Sequence, residues 1–65
     1  MTHLNNSDRL LTPTDAAAYL GRSVAALAQL RYRGTGPTYI RAGGRIRYRE
    51  SAIQAWLDEG ERDAT

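Results

Sequence analysis

The sequence contains no cysteine, no lysine and no phenylalanine, and it has a single tryptophan and a single histidine. Without cysteine, neither a disulfide framework nor a thiolate metal site can form. No apolar run approaches the roughly 20 residues that a membrane-spanning helix needs, and the first residues lack the apolar segment of a signal peptide. We therefore expect a cytoplasmic protein without membrane contact.

Residue sets for catalysis are missing as well. The histidine, His3, lies in a polar segment where nothing would hold its imidazole beside a nucleophile. The acidic residues cluster near the C-terminus without the donor set of a metal site. The pair Gly43-Gly44 is too short for a loop that cradles phosphates. We expect neither an enzyme nor a protein with a metal or cofactor.

The chain has, instead, a strongly segregated charge. All nine basic residues are arginine. Seven of these arginines lie between Asp15 and Glu50, and they are the only charged residues in that interval. Residues 16–49 thus carry +7, against −1 for residues 1–15 and −4 for residues 50–65. Such a field is typical of a surface that meets phosphate, and the arginine fork binds phosphate and guanine through two hydrogen bonds at once. Nucleic acid is the predicted partner.

A chain of 65 residues forms one small domain that buries only about 60% of its unfolded surface. Residues 1–9 are polar and aperiodic, which predicts a flexible arm, and residues 61–65 predict a frayed tail. The domain itself is expected over residues 10–60. Stability should amount to a few kcal/mol.

Capping signals define two short helices in the first half. Thr12 suits the N-cap of the first helix, Pro13 its first position and Asp15 a capping box, and Gly21 suits its C-cap. The second helix is predicted over residues 24–33, from Ser23 as N-cap to Gly34. Apolar spacing of three to four residues defines its buried stripe: Val24, Leu27 and Leu30, with Ala28 or Arg31 alongside. Two short helices joined by a tight turn with glycine are typical of a helix-turn-helix.

A β-hairpin and a third helix follow. Residues 38–41 and 45–48 flank Gly43-Gly44, and strict alternation puts three arginines on one face and Ile46 with Tyr48 on the other. The third helix opens at Glu50 and is expected to end at Gly60. Its apolar side is Ala52, Ile53, Trp56 and Leu57. The predicted fold is mainly α with a β-hairpin wing, in the order helix, helix, hairpin, helix.

In a helix-turn-helix the second helix lies in the major groove, with its N-terminal half against base edges. The residues that would face DNA there are Ser23, Ala25, Ala26 and Gln29. Gln29 can bond adenine through two hydrogen bonds, and the alanines can touch thymine methyl groups. Ser23 is also needed as a helix cap, with or without a base contact.

Arg31, Tyr32 and Arg33 end the second helix. We expect the two arginines to reach phosphates and Tyr32, which lies off the apolar stripe, to touch the DNA backbone. The alternative for the arginines is that they only complement the helix dipole. For Tyr48 and Trp56, which occupy inward positions, core packing is favoured over base stacking.

The wing is the sharper signal. Arg41, Arg45 and Arg47 would follow phosphates or enter a narrow minor groove beside the second helix. The alternative is a solvated edge whose charge prevents sheet-to-sheet aggregation. An edge protected by arginine alone, on a surface without acids, favours nucleic acid.

Several motifs follow one another along the chain in an order that resembles that of a known family. The motifs are Leu20-Gly21-x-Ser23, Leu27, Leu30-Arg31, Gly34-x-Gly36-Pro37, Gly43-Gly44-x-Ile46-Arg47-Tyr48 and Ala55-Trp56-Leu57. Over about residues 10–58 they resemble the small excisionase and AlpA-type proteins, which are relatives of the MerR DNA-binding domain. The resemblance implies a winged helix-turn-helix whose second helix contacts the major groove and whose wing contacts the adjacent minor groove. The wing contacts implied by position are Gly43, Gly44, Arg45 and Arg47.

The chain departs from its relatives in the second helix, where positions 25, 26, 28 and 29 often carry arginine or threonine and here are three alanines and Gln29. Backbone charge and DNA shape should therefore carry more of the affinity. After Leu57 we expect neither the coiled coil nor the effector domain of full MerR proteins. We expect a monomer that associates cooperatively on neighbouring sites of double-stranded DNA.

The leading hypothesis is a phage or prophage excisionase, a recombination directionality factor that bends attachment-site DNA and assists an integrase. The alternative is an AlpA-like transcriptional regulator that binds promoter DNA through the same surface. A pure protein-interaction module is a third hypothesis, and it would show no salt-dependent affinity for DNA.

Overall fold

The computed structural model describes residues 8–61, which form three helices and three strands. The elements are β1 (Leu10–Leu11), α1 (Pro13–Leu20), α2 (Val24–Arg33), β2 (Ile40–Ala42), β3 (Arg45–Arg49) and α3 (Glu50–Glu61). The predicted order of helix, helix, hairpin and helix is confirmed, and β1 precedes it. The remainder of the predicted arm and tail, residues 1–7 and 62–65, lies outside the described residues.

The first two helices begin and end at the predicted caps. Thr12 and Ser23 each accept, through the side-chain oxygen, a 3.1 Å hydrogen bond from the backbone amide three residues on. Gly21 and Gly34 adopt left-handed conformations, with φ of 71° and 72°, and end the helices. Only residues 21–23 separate α1 from α2, so α1, this tight turn and α2 together form a helix-turn-helix.

The sheet has three antiparallel strands in the order β1-β3-β2. Gly43 and Gly44 join β2 to β3 with φ of 60° and 82°, and a two-residue turn with positive φ at both positions matches the right-handed twist of a hairpin. The pairing of Leu11 with Tyr48 adds β1, which the sequence did not predict because two residues are too short for a period-two pattern. The molecule is a winged helix-turn-helix.

A small core lies between the sheet and the helices. Tyr48 and Ile53 have no exposed surface and Leu27 has 1%, which confirms Tyr48 as a core residue. The buried set is Leu11, Ala16, Ala17, Leu27, Tyr48 and Ile53, with Leu20, Leu30 and Ile46 packed against it.

Three residues predicted on buried stripes lie at the margin instead. Val24 is 45% exposed because the core ends one turn further along α2, at Leu27. Leu57 is 38% exposed and Trp56 is half-buried, since the core meets α3 through Ile53, in its first turns. The prediction that these three side chains belong to the core was wrong.

The start of α3 is fastened to the residues before β1. Asp8 Oδ1 accepts a 3.0 Å hydrogen bond from the amide of Ser51, and the backbone oxygen of Arg9 accepts one of 2.9 Å from Glu50. The last two residues of the predicted arm are therefore held against the domain. At its other end α3 continues through Gly60 to Glu61, so the predicted stop at Gly60 was wrong.

Candidate nucleic-acid interface

One face of α2 is turned away from the core. Ala25, Gln29, Tyr32 and Arg33 are spaced i, i+4, i+7 and i+8, which places them on the same side of a helix. All four are exposed, and Tyr32 is 79% exposed. The opposite side of α2 carries the buried Leu27. The structure thus brings four of the predicted contact residues together on one solvent-facing surface.

The N-terminal end of α2 holds the other two predicted base contacts. The Ser23 side chain is exposed, and its oxygen caps the helix by accepting from the amide of Ala26. Ala26 is half-buried, so it offers less surface than Ala25. The cap role of Ser23 is confirmed, and its hydroxyl hydrogen is left to donate.

Arg31 differs from the other arginines of α2 because it points toward the hairpin. It is half-buried, and its Nη1 donates a 3.1 Å hydrogen bond to the hydroxyl of Tyr48. Its Cζ lies 5.4 Å from the ring centre of Tyr32 and 5.9 Å from that of Tyr39. The hydrogen bond to Tyr48 raises the pKa of the Arg31 guanidinium above its ordinary value, so the charge is retained in this setting.

Strand register divides the arginines of the wing between two faces. Arg45 lies opposite Ala42, and Arg41 lies opposite Ile46. Directly opposed residues in an antiparallel pair project to the same face, and neighbours along a strand alternate. Arg45 and Arg47 therefore share one face of the wing, while Arg41 shares the other with Ile46.

The arginines also differ in how free their guanidinium groups are. Among the described residues, Arg33, Arg41 and Arg45 are exposed and have no hydrogen-bond or ion-pair partner. Arg47 is half-buried and donates a 2.8 Å hydrogen bond to the backbone oxygen of Ile46. Arg49 lies 3.7 Å from the carboxylate of Asp8, which offsets its charge. Of the arginines on α2 and the wing, Arg33, Arg41 and Arg45 are thus the ones most available to phosphate.

Arg22 is a further candidate contact, which the sequence patterns did not predict. It is exposed in the turn before α2, and its guanidinium lies 5.9 Å from the centre of the Trp56 ring. The one feature of the sequence that points to Arg22 is its place in residues 16–49, which contain no acidic residue. Arg22 precedes Ser23, so it places a positive charge at the N-terminal end of α2. In helix-turn-helix proteins this end of the second helix faces the DNA.

Other kinds of site find little support within residues 8–61. No helix in this range has the length and apolar character needed to cross a membrane. The same range holds no group of three or more histidine, cysteine, aspartate or glutamate side chains that could hold a metal ion.

Comparison with known proteins agrees with this geometry. The family model described as a helix-turn-helix domain matches residues 10–61, from β1 to the end of α3. No curated protein matches the chain.

Proposed function

The chain belongs to this helix-turn-helix family, which covers the small AlpA- and excisionase-like proteins, and we propose that it is an architectural DNA-binding protein of the excisionase type. A helix-turn-helix domain implies DNA binding. The proposed role is that of a recombination directionality factor, which binds tandem sites beside an attachment site, bends the duplex and assists an integrase. It is a role in assembly and not in catalysis.

The observation that carries this proposal is the contrast between the few side chains on the exposed α2 face that can contact bases and the free guanidinium groups of α2 and the wing. The α2 face offers Gln29 and the small Ala25 for contact with base edges, whereas free guanidiniums stand on α2 and on the wing. Few base-contacting side chains together with much phosphate-binding charge favour recognition through the backbone and the shape of DNA. Proteins that bind in this way commonly bend their sites.

We assign the contacts accordingly. Gln29, Ala25, Ala26 and Ser23 face the major groove, with Tyr32 and Arg33 at the phosphate edge of the same groove. The wing contacts phosphate or the adjacent minor groove through Arg41, Gly43, Gly44, Arg45 and Arg47. A short wing of this kind, with strands of three and five residues, extends about 10–16 Å at 3.3 Å per residue, which suffices to reach from one groove to the neighbouring backbone.

The test is a gel-shift and bending experiment on duplexes selected by the protein from genomic DNA, followed by an excision reaction with the integrase encoded nearby. We expect a ladder of complexes on tandem repeats, slowed most when the repeats lie mid-fragment, and a stimulation of excision. Arg45→Ala should reduce both effects, and Arg49→Ala, which removes a guanidinium already paired with Asp8, is the matched control. A single unbent complex at a promoter, with no effect on excision, would instead identify a transcriptional regulator.

A further inference from the structure

We propose that Arg31 is a positioning residue, which sets the angle between α2 and the wing through Tyr48 and does not itself neutralise a phosphate. This inference rests on the proposed function and refines its assignment of contacts, because Arg31 was predicted among the residues that touch DNA.

Tyr48 lies in the middle of the sheet and has no exposed surface. It belongs to β3, the strand that also carries Arg45 and Arg47. Arg31 lies in the last turn of α2 and is half-buried. The 3.1 Å hydrogen bond between them therefore connects the proposed recognition helix to the strand that bears the wing arginines.

The guanidinium of Arg31 also contacts the segment that leads into the other strand of the hairpin. Its Cζ lies 5.9 Å from the ring centre of Tyr39, and the rings of Tyr39 and Tyr48 are 6.3 Å apart at an interplanar angle of 55°. The Tyr39 ring holds the cation in addition to the hydrogen bond that Arg31 donates to the Tyr48 hydroxyl. Arg31 is thus restrained by groups on both sides of the hairpin.

Besides this hydrogen bond, apolar packing joins α2 to the hairpin, since Leu27 of α2 and Tyr48 of β3 belong to one buried cluster. α2 packs mainly against α1, whereas β3 contacts α1 and α3. Across the described range, the bond from Arg31 to Tyr48 is the one hydrogen bond that joins α2 to the hairpin. Loss of this bond would leave the angle of the wing to be set by packing alone.

The angle matters because helix and wing must contact DNA together. A rigid wing holds its arginines in register with the groove that α2 occupies. Little conformational entropy of the wing is then lost on binding. The neighbouring Arg33 is the natural contrast. It has the same charge and lies two residues away, but it is exposed and has no hydrogen-bond or ion-pair partner within residues 8–61.

The experiment compares Tyr48→Phe, Arg31→Met and the control Arg33→Met by hydroxyl-radical footprinting and salt titration, at a temperature where all three are folded. Tyr48→Phe keeps the buried ring and removes no charge. We expect it to bind about tenfold more weakly and to lose protection at the wing site, while protection of the α2 groove is kept. Arg31→Met should do the same. Arg33→Met should keep both protected regions and make the log–log salt slope shallower by about 0.9.

Two results would overturn the proposal. One is wild-type footprint and affinity in Tyr48→Phe, and the other is an Arg31→Met protein that behaves like Arg33→Met, since that would make Arg31 a phosphate contact. A merely destabilising effect is distinguished because it would weaken both protected regions equally.

A second measurement needs no DNA and separates this proposal from the proposed function. Residual dipolar couplings of the backbone amides report the orientation of the hairpin relative to α2 in the free protein. We expect one common alignment for α2 and β3 in the wild type, and reduced couplings of the hairpin in Tyr48→Phe. Unchanged couplings would contradict the positioning role even if the wild type binds DNA. A protein that fails to bind DNA, yet shows these changes, would contradict only the proposed function.

Discussion

The indole Nε1 of Trp56 donates a hydrogen bond to the backbone oxygen of Thr35, 3.0 Å away. Thr35 follows the end of α2, and the guanidinium that lies 5.9 Å from the ring of the same tryptophan belongs to Arg22, just before the start of α2. One side chain of α3 therefore contacts the segments on both sides of α2. Trp56 acts through these directed contacts and less through burial.

Replacement of Trp56 by phenylalanine tests that role. Trp56→Phe removes the hydrogen bond to Thr35 and keeps an aromatic ring, so we expect the free energy of unfolding to fall by about 1 kcal/mol. Urea denaturation followed by circular dichroism measures it. The control Leu57→Ala, at an exposed neighbouring position, should change stability by less than about 0.5 kcal/mol. A loss of about 3–5 kcal/mol in Trp56→Ala would instead mean that the ring belongs to the core.

Two glycines should respond oppositely to the same substitution. A Cβ added at Gly36 would lie 2.8 Å from the Cβ of Leu30, so Gly36→Ala should destabilise the protein by about 1–3 kcal/mol. A Cβ at Gly60 would meet no atom within 4 Å, and Gly60 lies in α3, so Gly60→Ala should stabilise it by about 0.5–1 kcal/mol. Thermal melts of both variants check the pair, and a stable Gly36→Ala protein would show that the loop after α2 packs less closely.

Stability should depend on the ionisation of Asp8. The hydrogen bond from the amide of Ser51 and the charge of Arg49 lower the pKa of the Asp8 carboxyl below its ordinary 3.8. Since the lowered pKa belongs to the folded state, the carboxylate stabilises the fold above about pH 4, and this contribution is lost as the pH falls through the folded-state pKa.

Unfolding free energies measured from pH 6 to pH 2 in wild type and Asp8→Asn test this contribution. The asparagine keeps an oxygen that can accept from Ser51 but has no charge to titrate. We expect the two curves to converge at the acidic end. Curves that stay parallel over the whole range would show that Asp8 does not titrate differently in the folded and unfolded states.

Much of this fold follows from local signals. Thr12 and Ser23 are caps, Gly21 and Gly34 end helices, and Gly43-Gly44 makes the hairpin turn, because each depends on a few neighbouring residues. Burial at the margin of the core did not follow. Helical spacing gives the direction in which a side chain points but not how far a small core extends along the helix.

In the candidate site too, local sequence patterns predict some features, whereas others depend on contacts between distant residues. The exposed face of α2 around Gln29 follows from helical periodicity, and the arginine-rich wing follows from charge and alternation. The contact of Arg31 with Tyr48 joins residues 17 positions apart, and no local pattern distinguishes Arg31 from Arg33. The opposite facing of Arg41 depended on the strand register, which the turn geometry fixes.

Helix and wing should contribute differently to sequence preference. Gln29→Ala removes the longest side chain that we propose to contact bases, so we expect the selected site to lose preference at one or two base pairs. Arg45→Ala should weaken binding to all duplexes alike, since phosphate contacts carry no sequence information. Selection of sites from a random duplex pool, with each variant, compares them. An unchanged selected site with Gln29→Ala would exclude this residue from base contact.

The salt dependence of duplex binding tests most directly whether α2 and the wing form a DNA-binding surface. Each phosphate that the protein neutralises adds about −0.9 to the slope of log affinity against log salt concentration. With Arg33, Arg41 and Arg45 free to bind phosphate, we expect a slope steeper than about −2.7, which becomes shallower by about 0.9 in Arg45→Ala. A slope near zero for the wild-type protein would contradict the assignment of α2 and the wing as a DNA-binding surface.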